Sequence, residues 1–333
     1  MIRKFICLIA GTLILFGCAQ MVEERAQVIK PPAPAPGATY LGSEACLECH
    51  EDMASDRANI HMKIASFEVA GGYGTGCESC HGPGSLHVDG DGDTSKIISF
   101  DSGITPQEVA GVCTTCHHTD ELMDWPGSVH AERDVACTSC HKIHHNRNRN
   151  LLAKSNETNL CSSCHGDVGS QIQLLSHHPV REGQMRCSDC HNPHGSGGGV
   201  EGMLRTDERV NDLCLKCHTR YQGLFVYEHE PAVEDCLICH DPHGTVANNL
   251  LKQQEPFLCL QCHEAHFHAA RASSLEDHGI PGGGSPYDAG RKIAGTNYGF
   301  QKSFMTKCTQ CHQYIHGSDY TSQSVTSGHG LTR

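Results

Sequence analysis

The chain has 333 residues, of which 22 are cysteine and 26 histidine, and its formal net charge is −13. That acidic balance argues against nucleic-acid binding and fits a soluble surface that steers cationic partners. With one tryptophan, 5% aromatic residues and 35 glycines, the polypeptide lacks the apolar mass of a conventional core, so ordinary helix and strand frequencies do not transfer.

Residues 1–17 read as an export signal. Arg3 and Lys4 open it, Phe5 to Phe16 form an apolar run too short to span a bilayer, and Leu15-Phe16-Gly17-Cys18 forms a cleavage box. A small residue directly before cysteine, with leucine third before it, is a lipobox pattern, which makes Cys18 the lipidation candidate. Several acyl chains on one residue anchor a protein stably. Phe16 is an unusual choice in such a box, and an ordinary secretory signal cut elsewhere is the alternative. On the lipoprotein reading Cys7 is discarded and the net charge becomes −15 with the loss of Arg3 and Lys4. Residues 18–40 form a tether, in which Lys30-Pro31-Pro32-Ala33-Pro34-Ala35-Pro36-Gly37 favours polyproline II. Such a segment acts as a semi-rigid spacer and would hold the body of the chain off a membrane surface.

From residue 41 to 333 one motif organises the chain. Cys-x-x-Cys-His occurs ten times: Cys46, Cys49 and His50; Cys77, Cys80 and His81; Cys113, Cys116 and His117; Cys137, Cys140 and His141; Cys161, Cys164 and His165; Cys187, Cys190 and His191; Cys214, Cys217 and His218; Cys236, Cys239 and His240; Cys259, Cys262 and His263; Cys308, Cys311 and His312. Every cysteine after Cys18 belongs to a copy. The pattern is the attachment motif of c-type haem, whose two thiols form thioethers while the histidine ligates iron. Zinc half-sites, thiol redox motifs and disulfide scaffolds give no reason for a histidine after each second cysteine. Ten covalently bound haem c groups are therefore expected. About 32 residues per haem predicts a multihaem cytochrome c fold: mostly short α-helices and loops wrapped round a closely packed haem chain, elongated, with almost no β-sheet. Export agrees with this, because c-type haem is attached outside the bacterial cytoplasm.

Sixteen histidines remain outside the motifs, enough to give each iron a second imidazole. Bis-His saturation is the expected state, and a saturated haem passes electrons without binding substrate. Asp89-Gly90-Asp91-Gly92-Asp93 resembles a calcium-loop fragment, but lacks the glycine and glutamate of an EF-hand and reads as a solvated turn.

The middle of the chain repeats with a period near fifty residues, with blocks opening at Cys137, Cys187 and Cys236. Each block carries a C-H-x-x-H histidine (His144, His194, His243), then an apolar pair (Leu151-Leu152, Met203-Leu204, Leu250-Leu251), then a second motif. A histidine stands upstream of each (His130, His178, His229). The C-H-x-x-H histidine is too close in sequence to cross its own porphyrin plane and should reach a neighbouring iron. Stacked blocks of this kind make an extended body.

The chain resembles the MtrA/DmsE family of decahaem periplasmic cytochromes over roughly residues 40–320. The cues are Tyr40-Leu41-Gly42-Ser43, CESCHGPGSLH at Cys77, Trp125-Pro126-Gly127-Ser128-Val129-His130, Ser176-His177-His178-Pro179 with CSDCHNPHG, Glu228-His229 with CLICHDPHG, and the closing CHQYIHGS. The resemblance implies distal ligands at His61, His87, His130, His144, His178, His194, His229, His243, His268 and His316. His177 competes with His178 and His266 with His268, which leaves His118, His145, His278 and His329 as surface or supporting residues. It also implies electron conduction across the bacterial outer membrane inside a β-barrel porin. Electrons would pass between periplasmic or inner-membrane donors and a surface cytochrome or terminal reductase, in metal-oxide respiration, sulfoxide respiration or iron oxidation. The lipidated cysteine departs from relatives with an ordinary cleavable signal. Two other readings stand beside the conduit: a nitrite- or hydroxylamine-type reductase with one open iron, and a porin-independent surface lipoprotein or filament.

Overall fold

The computed structural model describes residues 29–63, 76–101, 103–119, 122–148, 150–196, 201–263, 307–310 and 312–319. The expected leader over residues 1–17, Cys18, Cys311, His266, His268, His278 and His329 lie outside them.

The elementary unit is a single helical turn. In all ten motifs the histidine N–H donates to the carbonyl of the first cysteine, at 2.9–3.1 Å. In the nine motifs described in full, this i→i−4 bond sets both thiols and the imidazole along one turn. Little helix extends beyond these turns. The segment Pro106–Thr114 is the longest described, at nine residues. Proline at its first position and a reciprocal Thr105–Glu108 capping box start it, and it buries Val109, Ala110 and Val112. Among the described residues there are isolated antiparallel bridges and no strand ladders. Helix and loop without sheet is the architecture expected of a multihaem cytochrome. No helix among the described residues is long and apolar enough to cross a membrane.

The chain divides into two compact units, one comprising Met1–Leu160 with Asn192–Gly197, the other Cys161–His191 with Gly198–Arg333. In the first unit, the described end of the proline segment lies directly on the helix Pro106–Thr114. A Cβ at Gly111 would stand 2.1 Å from the Lys30 carbonyl carbon, and Ile29 lines a cleft with Ala110, Trp125 and Val135. Lys30 and Pro31 are thus docked, not free. Further on, Glu78 is 2% exposed. Its carboxylate accepts from the backbone N–H groups of Leu41 at 3.0 Å, Gly42 at 2.8 Å and Gly84 at 2.9 Å, strapping the entering chain onto the second motif.

The block repeat has a shared backbone device. Leu151, Met203 and Leu250 adopt φ of 52°, 51° and 57°, a left-handed conformation uncommon for such side chains. Each turns the chain so that the next residue, Leu152, Leu204 or Leu251, bridges the motif histidine His141, His191 or His240. The apolar pairs in the sequence mark this turn.

Candidate haem-binding sites

The turn just described fixes the motif imidazoles. Nδ1–H of His141, His191 and His240 donates to the carbonyls of Asn150, Gly202 and Asn249 at 2.9, 2.7 and 2.9 Å. His81 does the same to Ile98 at 2.8 Å. A donor bond at Nδ1 selects the tautomer whose Nε2 lone pair is free for a metal. Burial lowers the pKa of His61, His81, His240 and His243, and drives His316 down to about 4. These imidazoles are held neutral, the form that ligates.

Each of eight motif histidines faces a second imidazole. His81 and His144, His141 and His194, His191 and His243, and His240 and His316 stand with ring centroids 5.9–6.1 Å apart and planes within 13–17°. His50 and His87 are 6.4 Å apart at 15°, and His229 and His263 are 6.1 Å apart at 24°. Two pairs are tilted, His61 with His117 at 48° and His178 with His218 at 57°, with centroids 5.9 and 6.1 Å apart.

The pairing follows a rule. The histidine trailing an even-numbered motif (His144, His194, His243, His316) turns back to the motif histidine of the preceding even one. The histidine ahead of an even-numbered motif (His61, His178, His229) reaches forward to the next odd one. The two sets are tied together: Nδ1–H of His130, His178 and His229 donates to the carbonyls of Pro193, Pro242 and Ile315 at 2.9, 2.7 and 2.8 Å. Those carbonyls directly precede His194, His243 and His316. Behind them stand Gly195, Gly244 and Gly317, where an added Cβ would meet neighbouring atoms at 2.7, 2.1 and 2.2 Å. Trp125 packs edge-on to His194, 6.3 Å between centroids.

Between the adjacent histidines, it is His178 that faces a motif imidazole. Both nitrogens of His177 are engaged, Nδ1 with the Leu174 carbonyl at 2.5 Å and Nε2 with Glu182 at 3.1 Å. That hydrogen bond, ahead of the one from Arg181, lowers the Glu182 carboxyl to about 2. His118 is exposed, and His145 lies 3.5 Å from Asp52. The Asp89–Asp93 turn is exposed, but its last carbonyl accepts from His87 Nδ1–H at 3.0 Å.

The thiols place consecutive motifs side by side. First cysteines meet in the pairs Cys46–Cys77, Cys113–Cys137 and Cys214–Cys236. Sγ atoms of Cys161 and Cys187, and of Cys259 and Cys308, lie within 4.8 Å. Hydrogen bonding across three of these pairs raises the pKa of Cys113, Cys214 and Cys259 and lowers that of Cys137, with Cys236 and Cys308 brought to about 7. Thioether formation removes those titrations and leaves the proximity. The alternate junctions approach through second cysteines: Cys80 near Cys116, Cys190 near Cys217, Cys239 near Cys262.

Three family models match over the CxxCH motifs. A doubled CXXCH motif model matches residues 177–223 and 229–268, a "Cytochrome c-type protein NrfB-like" model matches 77–164, and a "Cytochrome c554 and c-prime" model matches 19–82. The multiheme cytochrome MtrA of Shewanella baltica is 34% identical over 84% of this chain and 80% of its own length. The chain belongs to the MtrA family of multihaem cytochromes. As an MtrA-family protein it is an electron-transfer cytochrome that binds haem c through its CxxCH motifs. The C-type polyheme cytochrome OmcB of Geobacter sulfurreducens is 23% identical over 66% of the chain, which spans 31% of OmcB. An undecaheme cytochrome from the S-layer of Carboxydothermus ferrireducens shares 17% identity, with 73% of this chain and 32% of that one covered. The TM-score between the two is 0.14.

Proposed function

We propose that this cytochrome is a non-enzymatic electron conduit of the outer membrane, holding ten haems c with two imidazoles on each iron. The observation that carries the reading is the set of facing histidine rings. Metal–imidazole bonds of about 2 Å put two ligating nitrogens about 4 Å apart, and ring centroids about 6.4 Å apart. The eight pairs at 5.9–6.4 Å match that span. His130, locked by Pro193, and His268, outside the described residues, complete the proposed distal set with His61, His87, His144, His178, His194, His229, His243 and His316.

The haems supply one-electron redox chemistry, and the chain supplies ligands, spacing and electrostatics. The alternating cysteine contacts support close succession of cofactors within each unit. Residues 1–17 are proposed as a lipoprotein signal, with Cys18 the lipid anchor, 18–40 the tether, docked on the first unit at Lys30 and Pro31, and 41–333 the decahaem domain. Relatedness to MtrA supports a periplasmic site at the outer membrane, a β-barrel porin partner, and a surface cytochrome or terminal reductase at the far end.

Mass spectrometry of the exported protein should show ten haems and an acylated Cys18. Oxidised spectra should be wholly low-spin, and the reduced protein should not bind carbon monoxide. Mild detergent extraction followed by affinity purification should bring down a β-barrel protein; repeated elution alone would remove the conduit assignment. The NrfB-like match over residues 77–164 keeps a reductase with an open iron as the second reading. Carbon monoxide binding together with turnover of nitrite or hydroxylamine would establish it.

A further inference from the structure

The first junction between histidines is built differently from the other three. At those three, the carbonyl ahead of the trailing histidine accepts Nδ1–H from an upstream imidazole. At the first, the equivalent carbonyl, Ile143, accepts from Asn59 Nδ2. His61 is left with a buried Nδ1 that has no hydrogen-bond partner. The 3₁₀ segment Glu51–Ala58 supplies the rest of the contact. Asp56 Oδ2 lies 3.3 Å from His144 Nδ1, and Asp52 Oδ2 lies 3.5 Å from His145 Nε2. Asp52, Asp56 and Asn59 thus form one docking face against Ile143, His144 and His145. The Asp56 side chain is 8% exposed, so its charge is poorly screened. Asp241, the comparable carboxylate beside His243, stands 3.9 Å away, beyond hydrogen-bond reach.

We propose that Asp56 is a redox-tuning residue: by accepting Nδ1–H from His144 it lowers the reduction potential of the haem held by the Cys77–His81 motif. The inference rests on the bis-His reading of the His81–His144 pair. An imidazole donating to a carboxylate gains imidazolate character and gives more electron density to its metal. Ferric iron is then favoured over ferrous, and the one-electron couple moves negative. The buried negative charge acts in the same direction. Motif histidines that donate to neutral carbonyls, as His141, His191 and His240 do, lack this push, so the haem of the Cys77–His81 motif is the more electron-rich beside theirs.

The test is a mediated potentiometric titration of the full-length holoprotein, reduced with dithionite and followed by optical and EPR spectra. Asp56→Asn should move about one tenth of the α-band amplitude to a more positive potential, leaving the remainder superimposed on wild type and all ferric iron low-spin. One EPR component should widen its g-spread. Asp56→Glu should restore both readouts, and Asp52→Asn, facing the non-ligand His145, should change neither. A titration of Asp56→Asn that overlays wild type, with ligation intact, overturns the proposal. If Asp56→Asn does not accumulate, wild type decides. A ferric component of narrow g-spread that is reduced in the negative half of the titration supports the tuning, and its absence sinks it. High-spin iron in wild type would instead defeat the ligation reading itself.

Discussion

At the scale of single residues, the recurring unit is an imidazole whose Nδ1–H donates to a backbone carbonyl, which leaves Nε2 as the lone pair open to a metal. The adjacent pair His177 and His178 divides the proposed ligand from its support. His178 faces His218 and donates to Pro242, while His177 has both nitrogens engaged with its own loop. His177→Ala should leave the oxidised spectrum low-spin. His178→Ala should turn about one haem in ten high-spin and give the reduced protein an equal fraction of carbon monoxide binding. Ring-plane angles predict a second spectral property. Near-parallel imidazoles split the two iron d orbitals that overlap with them, and tilted ones bring those orbitals toward degeneracy. The pairs at 13–24° should therefore give rhombic low-spin EPR signals, and the His61–His117 and His178–His218 pairs, at 48° and 57°, large-gmax signals. Loss of the two large-gmax components in His61→Met and His178→Met variants would assign them; their absence from wild type would contradict the tilt.

Most of the described elements are single turns, so their stability lies in the contacts between turns. The strings HGS, HGT and HGS at His194, His243 and His316 were readable in the sequence, yet attention there falls on the histidine. The glycine is the other half of the device. Gly195 has φ of 112° and would bring a Cβ to 2.7 Å from the Asp124 carbonyl oxygen, so both backbone strain and close approach exclude a side chain. Gly195→Ala should destabilise by about 2 kcal/mol or more, read as a lower denaturation midpoint with haem content unchanged. Glu78 has the same standing at the entry to the first unit. Truncating it strands the three N–H groups that it satisfies, an expected loss of roughly 3 kcal/mol. Faster proteolysis between residues 39 and 45 in Glu78→Ala would locate that loss in the strap. Sequence showed neither contact, because each joins positions whose meeting depends on φ values and chain reversal, not on pattern.

For the molecule as a whole, what could be read in advance was what is local and repeated: the ten motifs, the trailing and upstream histidines, the apolar pairs. Which imidazole meets which could not be read, since the trailing His243 looks back across some fifty residues to His191, past His218. Thiol contacts likewise cross the block boundaries that the fifty-residue period suggests, joining Cys161 to Cys187 and Cys214 to Cys236. This architecture bears on how the chain folds. The buried apolar residues among those described are Val109, Ala110, Val112, Trp125, Ile172, Ala247 and Leu251, and single turns are not stable alone. So small a set falls far short of the conformational entropy lost on ordering the chain. On the bis-His reading the missing stabilisation comes from porphyrin faces and from axial bonds that join distant segments, as ligand binding stabilises any fold that alone can bind. Covalent attachment and folding should therefore be one process. Produced alone in a cytoplasm lacking haem-attachment machinery, residues 41–333 should give a far-UV spectrum without helical minima, no cooperative thermal transition and rapid proteolysis. The exported holoprotein should melt cooperatively and resist protease. A haem-free chain that melts cooperatively would mean that the polypeptide carries its own core, and the dependence argued from its small buried set would be wrong.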